Sequence, residues 1–167
     1  DFFTEKSICL FILPTYTGGT PTDDASWFWQ WLEDTYFDFR VSRDSFGKMK
    51  FAILGLGHSE YLENYNKIAR IVQHRFEKLS ATSLLPLHMA DAKYDQLEQF
   101  NEWKQTLYQL FDRVSHQQIS WEEAAVQPAV RYESDDDGVP VEATSGSTKN
   151  EIENSENAPD LEDLGNV

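Results

Sequence analysis

The amino-acid sequence predicts an α/β fold with an open parallel sheet and helices on both faces. Three continuous apolar runs, residues 7–13, 50–54 and 83–87, have the composition of strands buried on both faces. Each run is followed by a segment whose apolar residues recur at helical spacing. Because this alternation is typical of right-handed crossovers, we expect a binding site beyond the carboxyl ends of the strands.

The first strand ends at Pro14 and is followed by a helix rich in tryptophan. Thr22 and the two aspartates after it offer N-cap oxygens and first-turn negative charge. Trp27, Trp29 and Trp31 alternate along this helix. Since residues at that spacing cannot all face the core, we expect a division between core and surface.

The two remaining strands are also followed by helices. The second strand ends at Gly55, and the helix after it carries one apolar face, formed by Tyr65, Ile68, Val72, Phe76 and Leu79. The third strand is weaker because Pro86 interrupts it. The last helix is expected over residues 94–111.

Composition divides the 167-residue chain into a partial folded domain, residues 1–114, and an acidic, disordered linker or tail, residues 115–167. The net charge is −15, and the tail contributes 13 acidic against 2 basic residues. We therefore expect no direct binding of nucleic acid. No run is long enough for a membrane span, so a cytoplasmic location is expected. The single cysteine, Cys9, cannot hold an iron–sulfur cluster alone.

Two loops at predicted strand ends have the residue types that a flavin ring requires. The first is Thr15, Tyr16, Thr17, Gly18 and Gly19; the second contains Gly55, Leu56, Gly57, His58 and Tyr61. A flavin ring is flat, so aromatic side chains can stack on it, and its polar edge needs backbone groups of tight loops. Neither loop has the lysine or the spacing of an ATP or NAD motif.

The segment FAILGLGHSEYLENYN resembles the second flavin loop of the flavodoxin-like FMN domains in diflavin reductases. The segment LPTYTGGTPTDDASWFWQWLED, with DFRV after it, is similar to the flavodoxin-like region of the eukaryotic tRNA 4-demethylwyosine synthases, the enzymes of wybutosine biosynthesis. The spacing between Tyr61 and Asn66 also fits that family better than it fits the diflavin reductases, by one residue. The resemblance covers residues 7–111 and is strongest in the first half.

This resemblance implies an FMN site and a role in electron transfer. It adds to the two loops Asn64, Tyr65 and Asn66, which match a His-Phe-Asn segment closing over the flavin, and Asp91, near the third loop. His58 stands where relatives carry asparagine. In the parent enzyme, electrons from FMN would reach a downstream 4Fe–4S cluster that cleaves S-adenosylmethionine.

The family's phosphate-binding loop and first strand have no counterpart in the sequence, and Asp1 is not methionine, so we expect a fragment that retains little flavin and is inactive alone. Two alternatives stay open. The chain could be the flavodoxin domain of a diflavin-type reductase, or a truncated, non-catalytic module that binds a partner.

Overall fold

The computed structural model describes residues 8–126 and two short strands further along the chain. Four parallel strands form the main sheet: β1 (Ile8–Pro14), β2 (Lys50–Gly57), β3 (Thr82–Ser83) and β4 (His88–Asp91). Three α-helices alternate with these strands: α1 (Ser26–Phe37), α2 (Lys67–Lys78) and α3 (Gln96–Ser115). The two short strands, β5 (Glu133–Ser134) and β6 (Pro140–Val141), pair antiparallel. The predicted open parallel sheet is confirmed.

β2 lies between β1 on one side and β3 and β4 on the other. The β1–β2 register runs from Ile8 opposite Lys50 to Pro14 opposite Leu56. β4 pairs with the last four residues of β2, so that Asp91 lies opposite Gly57. Because all these strands are parallel, the loops that leave β1, β2 and β4 lie at one edge of the sheet.

The third strand differs from the prediction, which was a single weak strand over residues 83–87, interrupted at Pro86, with the third loop directly after it. The structure has two short strands, β3 and β4, separated by residues 84–87. Pro86 has no N–H to donate to a strand partner, which accounts for the interruption. Since pairing resumes at His88, Asp91 is the last residue of β4, and the loop at the site comprises residues 92–95.

Helices cover both faces of the sheet at β2, as predicted, whereas one face of β1 is open: Leu10 and Ile12 are 49% and 48% exposed, so this strand is not buried on both faces. On one face, Phe51 and Ile53 of β2 pack in a cluster with Leu32 of α1 and Phe76 of α2. On the other face, Ala52 and Leu54 pack with residues of α3 that include Leu107. The alternation of these β2 side chains follows from the two-residue period of a strand.

The start of α1 also differs from the sequence interpretation. Thr22 makes no side-chain cap, and a 3-10 turn (Asp23–Ala25) precedes the helix, which begins at Ser26. The Ser26 hydroxyl donates to the Asp23 carbonyl at 2.6 Å and thereby joins the turn to the helix. The expected division of the tryptophans is found: Trp27 is 73% exposed, whereas Trp31 stacks on buried Phe46 with 6.0 Å between ring centroids.

The packed structure extends past residue 114, where the sequence interpretation placed the end of the folded domain. Trp121 lies edge-on to Phe111 of α3, with 5.9 Å between the ring centroids. The Val126 N–H donates to the Ser83 carbonyl of β3 at 2.9 Å. Residues 116–126 are therefore packed rather than disordered. Except for β5 and β6, the rest of the predicted tail lies outside the described residues. None of the helices within residues 8–126 is both long and apolar enough to cross a membrane.

Candidate functional site

The first loop leaves β1 in a tight turn that its own backbone stabilises. The Tyr16 N–H donates to the Thr20 carbonyl at 2.8 Å, and the Gly19 N–H donates to the Tyr16 carbonyl at 3.0 Å. Gly18 and Gly19 have φ of 75° and 76°, in the left-handed region that favours glycine. The turn leaves the Tyr16 ring 63% exposed.

Thr15 joins the first loop to β2 and α2. Its N–H donates to the Leu56 carbonyl at 2.9 Å. Its hydroxyl oxygen accepts the Ile68 N–H of α2 at 3.3 Å. Thr15 was predicted as a flavin-site residue, but its hydroxyl caps the first turn of α2, where N–H groups lack helical partners.

The second loop contains a 3-10 segment, Ser59–Asn64, whose N-cap residue is His58. The His58 Nδ1 accepts the Glu60 N–H at 3.3 Å, and the His58 carbonyl accepts the Tyr61 N–H at 3.0 Å. The His58 and Tyr61 rings are edge-on, with centroids 5.8 Å apart. The loop thus presents two rings together, and Tyr61 is 64% exposed.

Asn66 lies behind the second loop rather than over it. It is fully buried, with φ of 51°, and its side-chain amide donates to the Ala90 carbonyl of β4 at 3.3 Å. A Cβ at Gly57 would lie 2.8 Å from the backbone nitrogen of Asn66, and one at Gly55 would lie 2.5 Å from the side-chain oxygen of Asn66. The two glycines of β2 are therefore required by close packing against Asn66.

Tyr65 and Asp91 connect the second loop to β4. The Tyr65 hydroxyl donates to the Met89 carbonyl at 2.8 Å. Burial raises the pKa of Tyr65, and the negative charge of Asp91 acts in the same direction. The Asp91 Oδ1 accepts the N–H groups of Ser59 and Lys93, each at 3.0 Å. Desolvation acts to raise the pKa of Asp91, but these hydrogen bonds outweigh it and hold the pKa below the ordinary 3.8.

Two glutamines at the start of α3 complete this arrangement, and the sequence interpretation did not identify them. The Gln99 side chain accepts the Asp91 N–H at 2.9 Å and donates to the Asp91 carbonyl at 3.1 Å. Gln96 donates to the Gly57 carbonyl at 3.2 Å. The sequence signal that could have located these glutamines was Asp95. Its carboxylate accepts two N–H groups at the start of α3 and fixes the orientation of the first turn of that helix.

Eight of the fourteen proposed site residues line one cleft at this sheet edge: Thr15, Tyr16, Thr17, Gly18, Gly57, His58, Tyr61 and Asn64. The other six do not line this cleft: Gly19, Gly55, Leu56, Tyr65, Asn66 and Asp91. Tyr65 instead lines a separate cleft with Leu62, Glu63, Arg70 and Met89. The cleft joins two exposed tyrosine rings to tight-turn backbone, which fits a flat heteroaromatic ring with a polar edge. Among residues 8–126, no group of His, Cys, Asp and Glu could hold a metal ion.

An open parallel sheet with a cleft at the carboxyl ends of β1 and β2, lined by two exposed tyrosines, is the architecture of a flavodoxin-like α/β domain. The model of the flavodoxin family, described as Flavodoxin, matches residues 1–103. The chain belongs to the flavodoxin family.

Curated relatives are much longer proteins. The chain is 35% identical over 107 residues to the S-adenosyl-L-methionine-dependent tRNA 4-demethylwyosine synthase of Homo sapiens, a match that covers 60% of this chain and 15% of that enzyme. It is 38% identical over 82 residues to the synthase of Danio rerio, covering 49% of this chain and 11% of that enzyme. It is 33% identical over 104 residues to the NADPH–cytochrome P450 reductase of Rattus norvegicus, covering 62% and 14%. The matched region thus spans about one seventh of such relatives.

Proposed function

We propose that this chain is the FMN-binding, electron-transfer domain of a tRNA 4-demethylwyosine synthase. The observation that supports the proposal most strongly is the cleft with the exposed Tyr16 and Tyr61 rings at the carboxyl ends of β1 and β2. FMN supplies the ability to accept two electrons and to release them one at a time. The protein's part is to bind the ring and keep it in a fixed orientation.

Some of the proposed residues, together with Gln99, would divide this work. Tyr16 and Tyr61 would cover the ring, while His58, Asn64 and the backbone near Gly57 would meet its polar edge. Asp91, Asn66 and Gln99 would keep the three loops in register. None of the eight lining residues is a lysine or arginine, so the described cleft has groups suited to the flavin ring but no cationic side chain for the phosphate.

The finer assignment concerns the whole parent protein. In it, a redox partner would reduce the FMN, and electrons would pass to a 4Fe–4S cluster in a downstream radical-SAM domain during wybutosine synthesis on phenylalanine tRNA. This segment alone would be inactive. The absence of direct nucleic-acid binding and the cytoplasmic location stay predictions from composition.

The alternative is the flavodoxin domain of a diflavin-type reductase, which the similarity to the P450 reductase of Rattus norvegicus supports. The two assignments differ in the remainder of the gene. A synthase requires a Cys-x3-Cys-x2-Cys motif encoded downstream, whereas a reductase requires domains for FAD and NADPH. Sequencing the parent transcript decides between them, and a transcript that encodes neither would favour a non-catalytic module.

Flavin titration tests the binding proposal directly. We expect the chain to quench the fluorescence of riboflavin and of FMN, with similar Kd values for the two flavins. Tyr61→Ala should raise Kd about tenfold, because a lost stacking contact costs about 1–1.5 kcal/mol.

Tyr108→Ala provides the matched control. Tyr108 is 62% exposed, against 64% for Tyr61, but it lies on α3 and not in the cleft. Its replacement should leave Kd unchanged. Absence of quenching at millimolar flavin, or equal effects of the two replacements, would refute the proposed site.

A further inference from the structure

The second loop fixes which nitrogen of His58 carries a proton. Nδ1 accepts the backbone N–H of Glu60 at 3.3 Å, so it must hold a lone pair. In the neutral imidazole the proton is therefore on Nε2. A hydrogen bond from the loop backbone thus turns His58 into a donor with one defined tautomer.

The position of this donor is equally constrained. His58 is half-buried and lines the cleft together with Tyr61 and Tyr16. The edge-on contact with Tyr61 and the bond to Glu60 restrict rotation of the imidazole. A restricted donor costs less conformational entropy on binding than a free one.

We propose that His58 is a specificity-determining residue that donates from Nε2 to an acceptor atom of the flavin ring and favours the reduced ring over the oxidised one. This inference rests on the proposed flavin site. Reduction adds electrons to the ring and makes its acceptor atoms more negative. A hydrogen bond to a more negative acceptor is stronger, so the donor stabilises the reduced form more.

The first test requires no flavin. Long-range ¹H–¹⁵N NMR of the chain at neutral pH should show the Nε2–H tautomer for His58, identified by the loss of its signals in His58→Gln. The Nδ1–H tautomer would overturn the inference, because Nδ1 could not then accept the Glu60 N–H.

The second test measures binding of oxidised and dithionite-reduced riboflavin under anaerobic conditions. His58→Leu removes the donor and should raise Kd about fivefold to tenfold for the oxidised ring. For the reduced ring, the increase in Kd should be about tenfold larger than for the oxidised ring. This difference would shift the midpoint potential of bound riboflavin by about 30 mV to more negative values. His58→Gln, which retains a donor amide, should recover most of both losses.

His88→Leu is the matched control, because His88 is also half-buried but lies at the start of β4 and does not line the cleft. Its replacement should change neither Kd nor the potential. If the wild-type chain binds riboflavin and His58→Leu binds each redox form as tightly as the wild-type chain does, the role of His58 is refuted while the flavin site stands. If wild-type chain binds no riboflavin, the proposed function itself is refuted.

Discussion

Adjacent glycines in the first loop allow the cost of a left-handed backbone to be separated from the cost of crowding. Gly18 and Gly19 have φ of 75° and 76°, so alanine at either position meets the same backbone strain. A Cβ at Gly18 has no neighbour within 4 Å. A Cβ at Gly19 overlaps the Asn64 side-chain oxygen and lies 2.8 Å from Cδ of Lys67.

The magnitudes follow from these two environments. An L-residue in the left-handed region costs about 1–2 kcal/mol, partly offset by about 0.4–1 kcal/mol from the lower entropy of the unfolded chain. Gly18→Ala should therefore lower the free energy of unfolding by about 0.5–1 kcal/mol. Gly19→Ala should lose roughly 1–3 kcal/mol more, because Asn64 must move.

Urea unfolding and riboflavin titration together test this reasoning. Gly19→Ala should have the lower midpoint of unfolding, with an unchanged slope, and a higher Kd because Asn64 lines the cleft. Gly18→Ala should show a small loss of stability. Equal unfolding midpoints for the two variants would show that Asn64 does not pack against the first loop as the structure describes.

Two further perturbations probe the third loop and the extended domain. Because the pKa of Asp91 is lowered in the folded protein, its ionised form stabilises the fold above pH 3.8, and this contribution is lost as the pH falls through the lower, folded-state pKa. Asp91→Asn should therefore remove this acid-dependent loss of stability, as measured by urea unfolding from pH 6 to pH 2. An identical pH dependence in both proteins would contradict this. Trp121→Ala should lower the free energy of unfolding by about 2–3 kcal/mol, because the ring packs on Phe111, whereas Trp27→Ala, at a 73% exposed residue, should change it by less than about 0.5 kcal/mol. Equal effects of the two tryptophan replacements would contradict the packing of residues 116–126.

Apolar runs and loop composition were sufficient to predict the open parallel sheet and the position of the two loops that line the cleft. A continuous apolar run is a strong sequence signal because it leaves no polar alternation, but burial on both faces is found for β2 and not for β1. The break between β3 and β4 was harder to place. Pro86 indicated an interruption, but only pairing with β2 shows that the strand resumes at His88.

The predicted site could not be divided into lining and supporting residues from sequence. Gly55 and Gly57 were predicted as residues of the flavin site, yet the nearest atoms that require their small size belong to Asn66. Asn66 is fully buried by residues distant in sequence, including Ala90. Gln99 was missed for the same reason, since its partner, the backbone of Asp91, is defined only by the end of β4.

The contacts between loops indicate a cleft that is shaped before any ligand arrives. The Thr15 hydroxyl joins the first loop to α2, and Asp91 joins the second loop to the third. The Gly57 carbonyl accepts from both Ala92 and Gln96. These polar groups are occupied within the protein, so they contribute by holding the cleft walls in place. In the proposed site, ring recognition would therefore fall mainly to the two exposed tyrosines and to the side chains of His58 and Asn64, and we expect tighter binding the less these groups must reorganise.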